Sequence, residues 1–141
     1  MIGFLLDTNV LSDLARAGAD ESVARWADRQ PAASLFISEV SVGEIEKGIN
    51  KLPRSRCRQQ IEGWLQQLLA VDFAGRVIAV DRAIWVTWGR LSGEALRRGR
   101  SLPALDALVA ATAIEHDLVL ATRDTSVLRT TGVRLIDPWR T

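Results

Sequence analysis

Short apolar runs alternate with longer amphipathic stretches along this chain, a pattern that predicts an α/β fold built on a parallel sheet. Ile2–Leu6 is the first such run and reads as a strand buried on both faces. A helix is expected from about Asn9 to Ala17, ended by Gly18, and Asp20 caps a second in which Val23, Trp26 and Ala27 share a face. Pro31 stops that helix, and Leu35–Ile37 is the second strand. Ser38 or Ser41 caps the next helix, whose apolar stripe is Val42, Ile45 and Ile49. Glu44 falls off that stripe, on the side of Ser41 and Gly48. A polar helix over about Gln59–Val71 turns Ile61, Leu65 and Leu68 inward, and Gly75 breaks the chain before a third strand, Val77–Val80. Asp81 caps a long helix carrying Ile84, Trp88, Leu91 and Ala95, closed near Gly99. Pro103 opens another, with Asp106 in its first turn and a small, apolar body from Ala107 to Ile114 that predicts burial on most faces. Leu118–Ala121 and Val133–Ile136 complete the set as fourth and fifth strands.

With 141 residues, no repeat and no long linker, a single domain over 1–141 is expected. A net charge of +1 advertises no general affinity for nucleic acid. The positive charge is nearly all arginine, with lysine only at Lys47 and Lys51; Arg suits bidentate phosphate contacts, although such usage also follows genomic base composition. Cys57 stands alone, which excludes an internal disulfide and a cysteine zinc site and fits a reducing compartment. No apolar run approaches a membrane span, and Ile2–Leu6 lacks a basic lead and runs straight into Asp7, unlike a signal peptide. A cytoplasmic protein is expected. The five Trp residues read as core or interface anchors rather than a base-stacking platform.

Four carboxylates change the picture. Asp7 closes the first strand and Asp124 follows the fourth, and in an open α/β sheet ligands bind beyond the carboxyl ends of the strands. The two become neighbours if those strands are adjacent. The helix carrying Asp106 leads into the fourth strand, so its N-terminus returns to the same edge, and Glu44 comes from the helix after the second strand. Each acid alone has a plain structural use: Asp7 and Asp124 as helix caps, Asp106 as partner of a helix dipole, Glu44 as a solvated helix residue. Together they form a hard oxygen cluster suited to Mg²⁺ or Mn²⁺, and like charges so close need a cation. A metal-dependent nuclease is the reading that follows. Thr8, Asn9 and Thr122 are short polar residues suited to hold these carboxylates, though turn or cap duty explains them as well. Arg97, Arg98 and Arg100 precede the segment of Asp106 and are candidates for the nucleic-acid groove of such a nuclease; a solvated helix end is the rival account.

The segments Leu5-Leu6-Asp7-Thr8-Asn9, Val42-Gly43-Glu44-Ile45, Asp106 to Ala113 and Ala121-Thr122-Arg123-Asp124 resemble a PIN domain. Within it the chain looks like the VapC-type toxins of bacterial toxin–antitoxin pairs, FitB-like group, which Ile136-Asp137-Pro138-Trp139 also resembles. The likeness spans essentially the whole chain. It implies a five-stranded parallel sheet of order 3-2-1-4-5, a Mg²⁺- or Mn²⁺-dependent ribonuclease, and Asp7, Glu44, Asp106 and Asp124 as the acidic quartet. Asn9 matches a polar position beside the first acid, and Thr122 the hydroxyl before the last. It also implies a homodimer and a small DNA-binding antitoxin whose tail blocks the groove, with DNA reached only through that antitoxin.

A receiver domain needs a Lys near the fifth strand and a haloacid-dehalogenase phosphatase an Asp-x-Asp after the first; neither is present. No Gly-rich turn marks a dinucleotide site. The remaining alternative is a weakly catalytic or non-catalytic partner that tunes its antitoxin's hold on operator DNA.

Overall fold

The computed structural model describes residues 1–16 and 20–141. Its central strand is β1 (Phe4–Leu6), buried at all three positions. Alternate side chains of a strand point to opposite faces. Phe4 and Leu6 accordingly enter one hydrophobic core and Leu5 the other. On one side β1 pairs with β2 (Leu35–Ser38), which pairs with β3 (Val77–Ile78). On the other it pairs with β4 (Val119–Ala121), which pairs with β5 (Leu135–Ile136). Every pairing is parallel, and the order is β3-β2-β1-β4-β5.

Helices α1 (Thr8–Ala15), α2 (Glu21–Asp28), α3 (Glu39–Asn50) and α4 (Arg56–Gln67) pack against the Phe4/Leu6 core. Helices α5 (Arg82–Arg97), α6 (Ala104–Glu115) and the short α7 (Thr125–Leu128) pack against the Leu5 core. Caps follow from the sequence. Asp20 accepts from Ser22 N–H at 2.8 Å and Asp81 from Ile84 N–H at 3.0 Å. Of the two serines ahead of α3, Ser38 is the cap, accepting from Val40 N–H at 3.0 Å, while Ser41 is buried one turn inside. Gly99 (φ 75°) ends the α5 segment in a left-handed conformation that suits glycine.

Several boundaries depart from the sequence expectation. β1 begins at Phe4, β4 at Val119, and the edge strands β3 and β5 are two residues each, because the expected runs include positions with no strand partner. α1 begins at Thr8 and is described to Ala15; its expected end at Ala17 and Gly18 lies outside the described residues. α4 starts earlier than expected, at Arg56, and passes into a π-helical turn over Leu68–Asp72. Pro103 is the N-cap of α6 rather than its first residue.

α6 is buried continuously from Ala107 to Ala113, as its small side chains allow between sheet and α5. Two bonds tie those helices together: Trp88 Nε1–H donates to Ala104 O at 3.0 Å, and Thr87 Oγ1 to Glu115 Oε1 at 2.5 Å. The chain moves one way from β1 through β2 to β3, then resumes at β4 on the other flank of β1. That reversal opens a crevice at the carboxyl ends of β1 and β4.

Candidate active site

Asp7 is the residue after β1. Its backbone N–H donates to Ala121 O at 2.9 Å, and Leu6 pairs with Ala121, so the parallel register sets Asp7 beside Thr122. The Asp7 side chain is held at both oxygens. Oδ1 accepts the Thr8 N–H at 2.8 Å, which makes Asp7 the N-cap of α1, and Oδ2 accepts the Thr122 hydroxyl at 2.7 Å. The residue is only 4% exposed. Burial pushes its pKa up to about 6 against the lowering effect of those two hydrogen bonds, with the charges of Asp106 and Glu44 adding to the rise.

Thr122 uses its whole hydrogen-bonding capacity. Its proton goes to Asp7, and its oxygen accepts from Asp124 N–H at 3.1 Å and Asn9 Nδ2 at 3.3 Å. Asn9 Nδ2 donates at 3.1 Å to Asp124 Oδ2, while Asn9 Oδ1 accepts from Arg123 N–H at 3.4 Å. Reversing that amide would set its NH₂ against a backbone N–H, so the orientation is settled by its partners. Asp124 occupies the N-cap position of α7 but makes no capping bond. Its carboxylate turns into the crevice instead.

Asp106 sits in the first turn of α6, half-buried, with its pKa raised by burial and then by the charges of Asp124 and Glu44. One carboxylate oxygen from each of Asp7, Asp106 and Asp124 lies within 4.8 Å of the others. Glu44 lines the same cleft without joining that trio. Its Oε1 accepts from Thr8 Oγ1 at 2.7 Å, and Thr8 Oγ1 is also 2.9 Å from Ser41 Oγ, so a buried serine and a threonine fasten the glutamate to the wall.

The cleft has a volume of about 440 Å³, and its lining includes Ser12, Asp13 and Arg16, which the sequence reading passed over, and Arg123 and Trp139, which it met only inside family-like segments and gave no role in the site. A signal for three of them was available. Asn9, Ser12, Asp13 and Arg16 follow the spacing i, i+3, i+4, i+7, a polar stripe on α1 opposite the core residues Val10 and Leu11. Asp13 is 6% exposed. Its Oδ2 has no hydrogen-bond partner among the described residues, and its Oδ1 is 3.6 Å from the Arg16 guanidinium. The Arg123 guanidinium lies over the Trp139 ring at 4.1 Å, a contact between the segment joining β4 to α7 and the turn over Pro138–Arg140 that no local pattern reveals. Arg97, Arg98 and Arg100 do not line this cleft; Arg98 and Arg100 border a separate hollow with Thr130 and Thr131.

A five-stranded parallel sheet of this order with an acidic crevice at its switch point defines a class, and residues 4–133 match the PIN domain family. The chain belongs to that family. It is 33% identical over 135 residues to the VapC ribonuclease Y4jK of Sinorhizobium fredii, an alignment covering 96% of each protein. It is 31% identical to toxin FitB of Neisseria gonorrhoeae, over 96% of this chain and 97% of that one. Among solved structures, FitAB bound to an IR36 DNA fragment superposes with a TM-score of 0.89 at 29% identity, covering 96% of this chain and 95% of the other. No helix among the described residues is long and apolar enough to cross a membrane.

Proposed function

We propose that this chain is a Mg²⁺- or Mn²⁺-dependent endoribonuclease, the toxin of a toxin–antitoxin pair, working in the cytoplasm as a single-domain protomer of a homodimer. The observation that carries the reading is the convergence of Asp7, Asp106 and Asp124 within 4.8 Å, in a protein whose family relatives include a VapC ribonuclease. Two full charges at that distance repel by roughly 3.5 kcal/mol at an effective dielectric of 20. A divalent cation relieves the repulsion, and an all-oxygen donor set suits Mg²⁺ or Mn²⁺. Asp7, Asp106 and Asp124 would hold the ion, with Glu44 at the rim. Such an ion supplies Lewis acidity toward a phosphodiester and lowers the pKa of a water.

The chain's own groups prepare that site. Thr8 N–H and the Thr122 hydroxyl orient Asp7, Asn9 orients Asp124, and Thr8 Oγ1 orients Glu44. Asp7 is therefore set before any ligand arrives. The cognate partner would be a small DNA-binding antitoxin, a reading supported by the likeness to FitAB, whose structure was solved on DNA. Exposed Trp85, Val86 and Leu96 on α5 offer apolar surface for a second copy.

Induced expression in bacteria tests the proposal. Growth should stop, and RNA from arrested cells should carry new 5′ ends that are absent with Asp7→Asn or Asp106→Asn. Arrest that persists in both variants would remove the ribonuclease from the explanation and leave the partner role, tuning an antitoxin on operator DNA.

A further inference from the structure

We propose that Arg123, seated over Trp139, grips a backbone phosphate of the RNA next to the reacting phosphodiester, and that Trp139 is a positioning residue for it. The inference rests on the ribonuclease reading above and extends it to the substrate-binding wall of the cleft.

An acidic cleft repels the polyanion it must admit, so the cations on its wall matter. Among the described residues, those that line it are Arg16 and Arg123. Arg16 is 3.6 Å from the buried Asp13 carboxylate. Arg123 differs: among the described residues its guanidinium makes no ion pair and no side-chain hydrogen bond, although it follows Thr122 and precedes Asp124. Its five N–H donors are unspent, and a guanidinium on an aromatic face keeps its donor edge free for a bidentate phosphate contact.

The seat is firm at both ends. Arg123 N–H is bonded to Asn9 Oδ1, in the network that orients Asp124. The Trp139 backbone N–H donates to Asp137 Oδ1 at 2.9 Å, Pro138 beside it is buried, and the indole packs against the core shared with α2. One face of the indole is covered by the guanidinium at 4.1 Å and so is closed to a stacking base, while the Arg edge remains available for a phosphate.

The test is the salt dependence of RNA binding, measured with a short fluorescein-labelled oligouridylate by fluorescence anisotropy. The Asp106→Asn protein is the parent, in Mg²⁺, so that the probe stays intact. Adding Arg123→Ala should weaken binding roughly tenfold and flatten the slope of log K against log salt by about 0.7, the value for one phosphate contact on a single strand. Arg123→Lys should keep the slope and recover part of the affinity. Trp139→Leu should keep the slope but lose roughly threefold in affinity, and Trp139→Phe should restore it. Unchanged affinity and slope in Arg123→Ala, no measurable binding by the parent, or loss of antitoxin binding in place of RNA binding would each overturn the phosphate grip. A Trp139→Leu protein that only melts lower, with RNA affinity intact, would overturn the positioning role. Cleavage of RNA by the wild type in Mg²⁺ and in EDTA is measured separately, and its failure counts against the ribonuclease reading.

Discussion

Replacing Asp7 by Asn in the metal-free protein should change the sign of its effect on stability between acid and neutral pH. Burial, opposed by two hydrogen bonds and aided by Asp106 and Glu44, raises the folded-state pKa of Asp7 from 3.8 to about 6. Below 3.8 both folded and unfolded chains carry the proton, and Asp7 contributes no pH dependence. Between 3.8 and about 6 the unfolded chain ionises first, so stability falls as pH rises. Above that window the loss is complete. At about 1.4 kcal/mol per pH unit it amounts to roughly 3 kcal/mol. Asn removes the charge but weakens one of the two hydrogen bonds made to Thr8 and Thr122, at a cost of about 1 kcal/mol. In EDTA the variant should therefore be more stable than wild type by about 1–2 kcal/mol at pH 8, or roughly 3–8 °C in Tm for a domain of this size. At pH 4 it should be equal or slightly less stable. Mg²⁺ at pH 8 should stabilise the wild type by mass action and leave the variant nearly unmoved. Urea and thermal melts across that pH range decide it. A variant less stable than wild type by the same margin at every pH would reduce Asp7 to a helix cap, and the reasoning about a strained acidic cluster would fall.

Thr122→Val removes the proton held by Asp7 and the oxygen that receives Asn9 and the Asp124 N–H in a fully buried spot; urea melts should show a loss of about 1–3 kcal/mol in EDTA, and a neutral result would mean the network is slack. Neutralising Arg97, Arg98 and Arg100 together should weaken RNA binding and flatten its salt slope, but these residues stand outside the cleft, so the cleavage rate at saturating RNA should hold. A fall in that rate would place the cluster at the reacting phosphate. Trp85→Glu, on the exposed face of α5, should shift the protein toward monomer in sedimentation; an unchanged mass would move the dimer contact elsewhere.

Much of the fold is legible in the sequence because its signals are local and agree with one another. Consecutive apolar residues at Leu5 and Leu6 mark a strand covered on both faces, and Asp20, Ser38 and Asp81 announce helix starts through bonds that span two or three residues. The strand order came from the family resemblance, not from periodicity, since pairing registers such as Leu6 with Ala121 leave no trace in either segment alone. The same limit governs the site. That Asp7 and Asp124 share a sheet edge follows once β1 and β4 adjoin. That Asp124 leaves its capping bond unmade, or that Glu44 stands outside the trio on a tether from Thr8, is decided by side-chain contacts across many residues of sequence. Asp13 and Arg16 were within reach through the polar stripe of α1. Arg123 and Trp139 stand in family-like segments, but their contact was not within reach, because a guanidinium finds an indole only after the last turn has folded back.

The central claim is that RNA hydrolysis runs through a divalent ion held by the converging acids. Its most direct test is the rate of cleavage of a single-stranded RNA by the purified protein as free Mn²⁺ is titrated from an EDTA baseline, for the wild type and for Asp106→Asn. The account predicts no cleavage in EDTA, a rate that rises and saturates with Mn²⁺ in the wild type, and none at any Mn²⁺ concentration in the variant. Equal cleavage in EDTA and in Mn²⁺, or an Asp106→Asn protein that cleaves like the wild type, would contradict it.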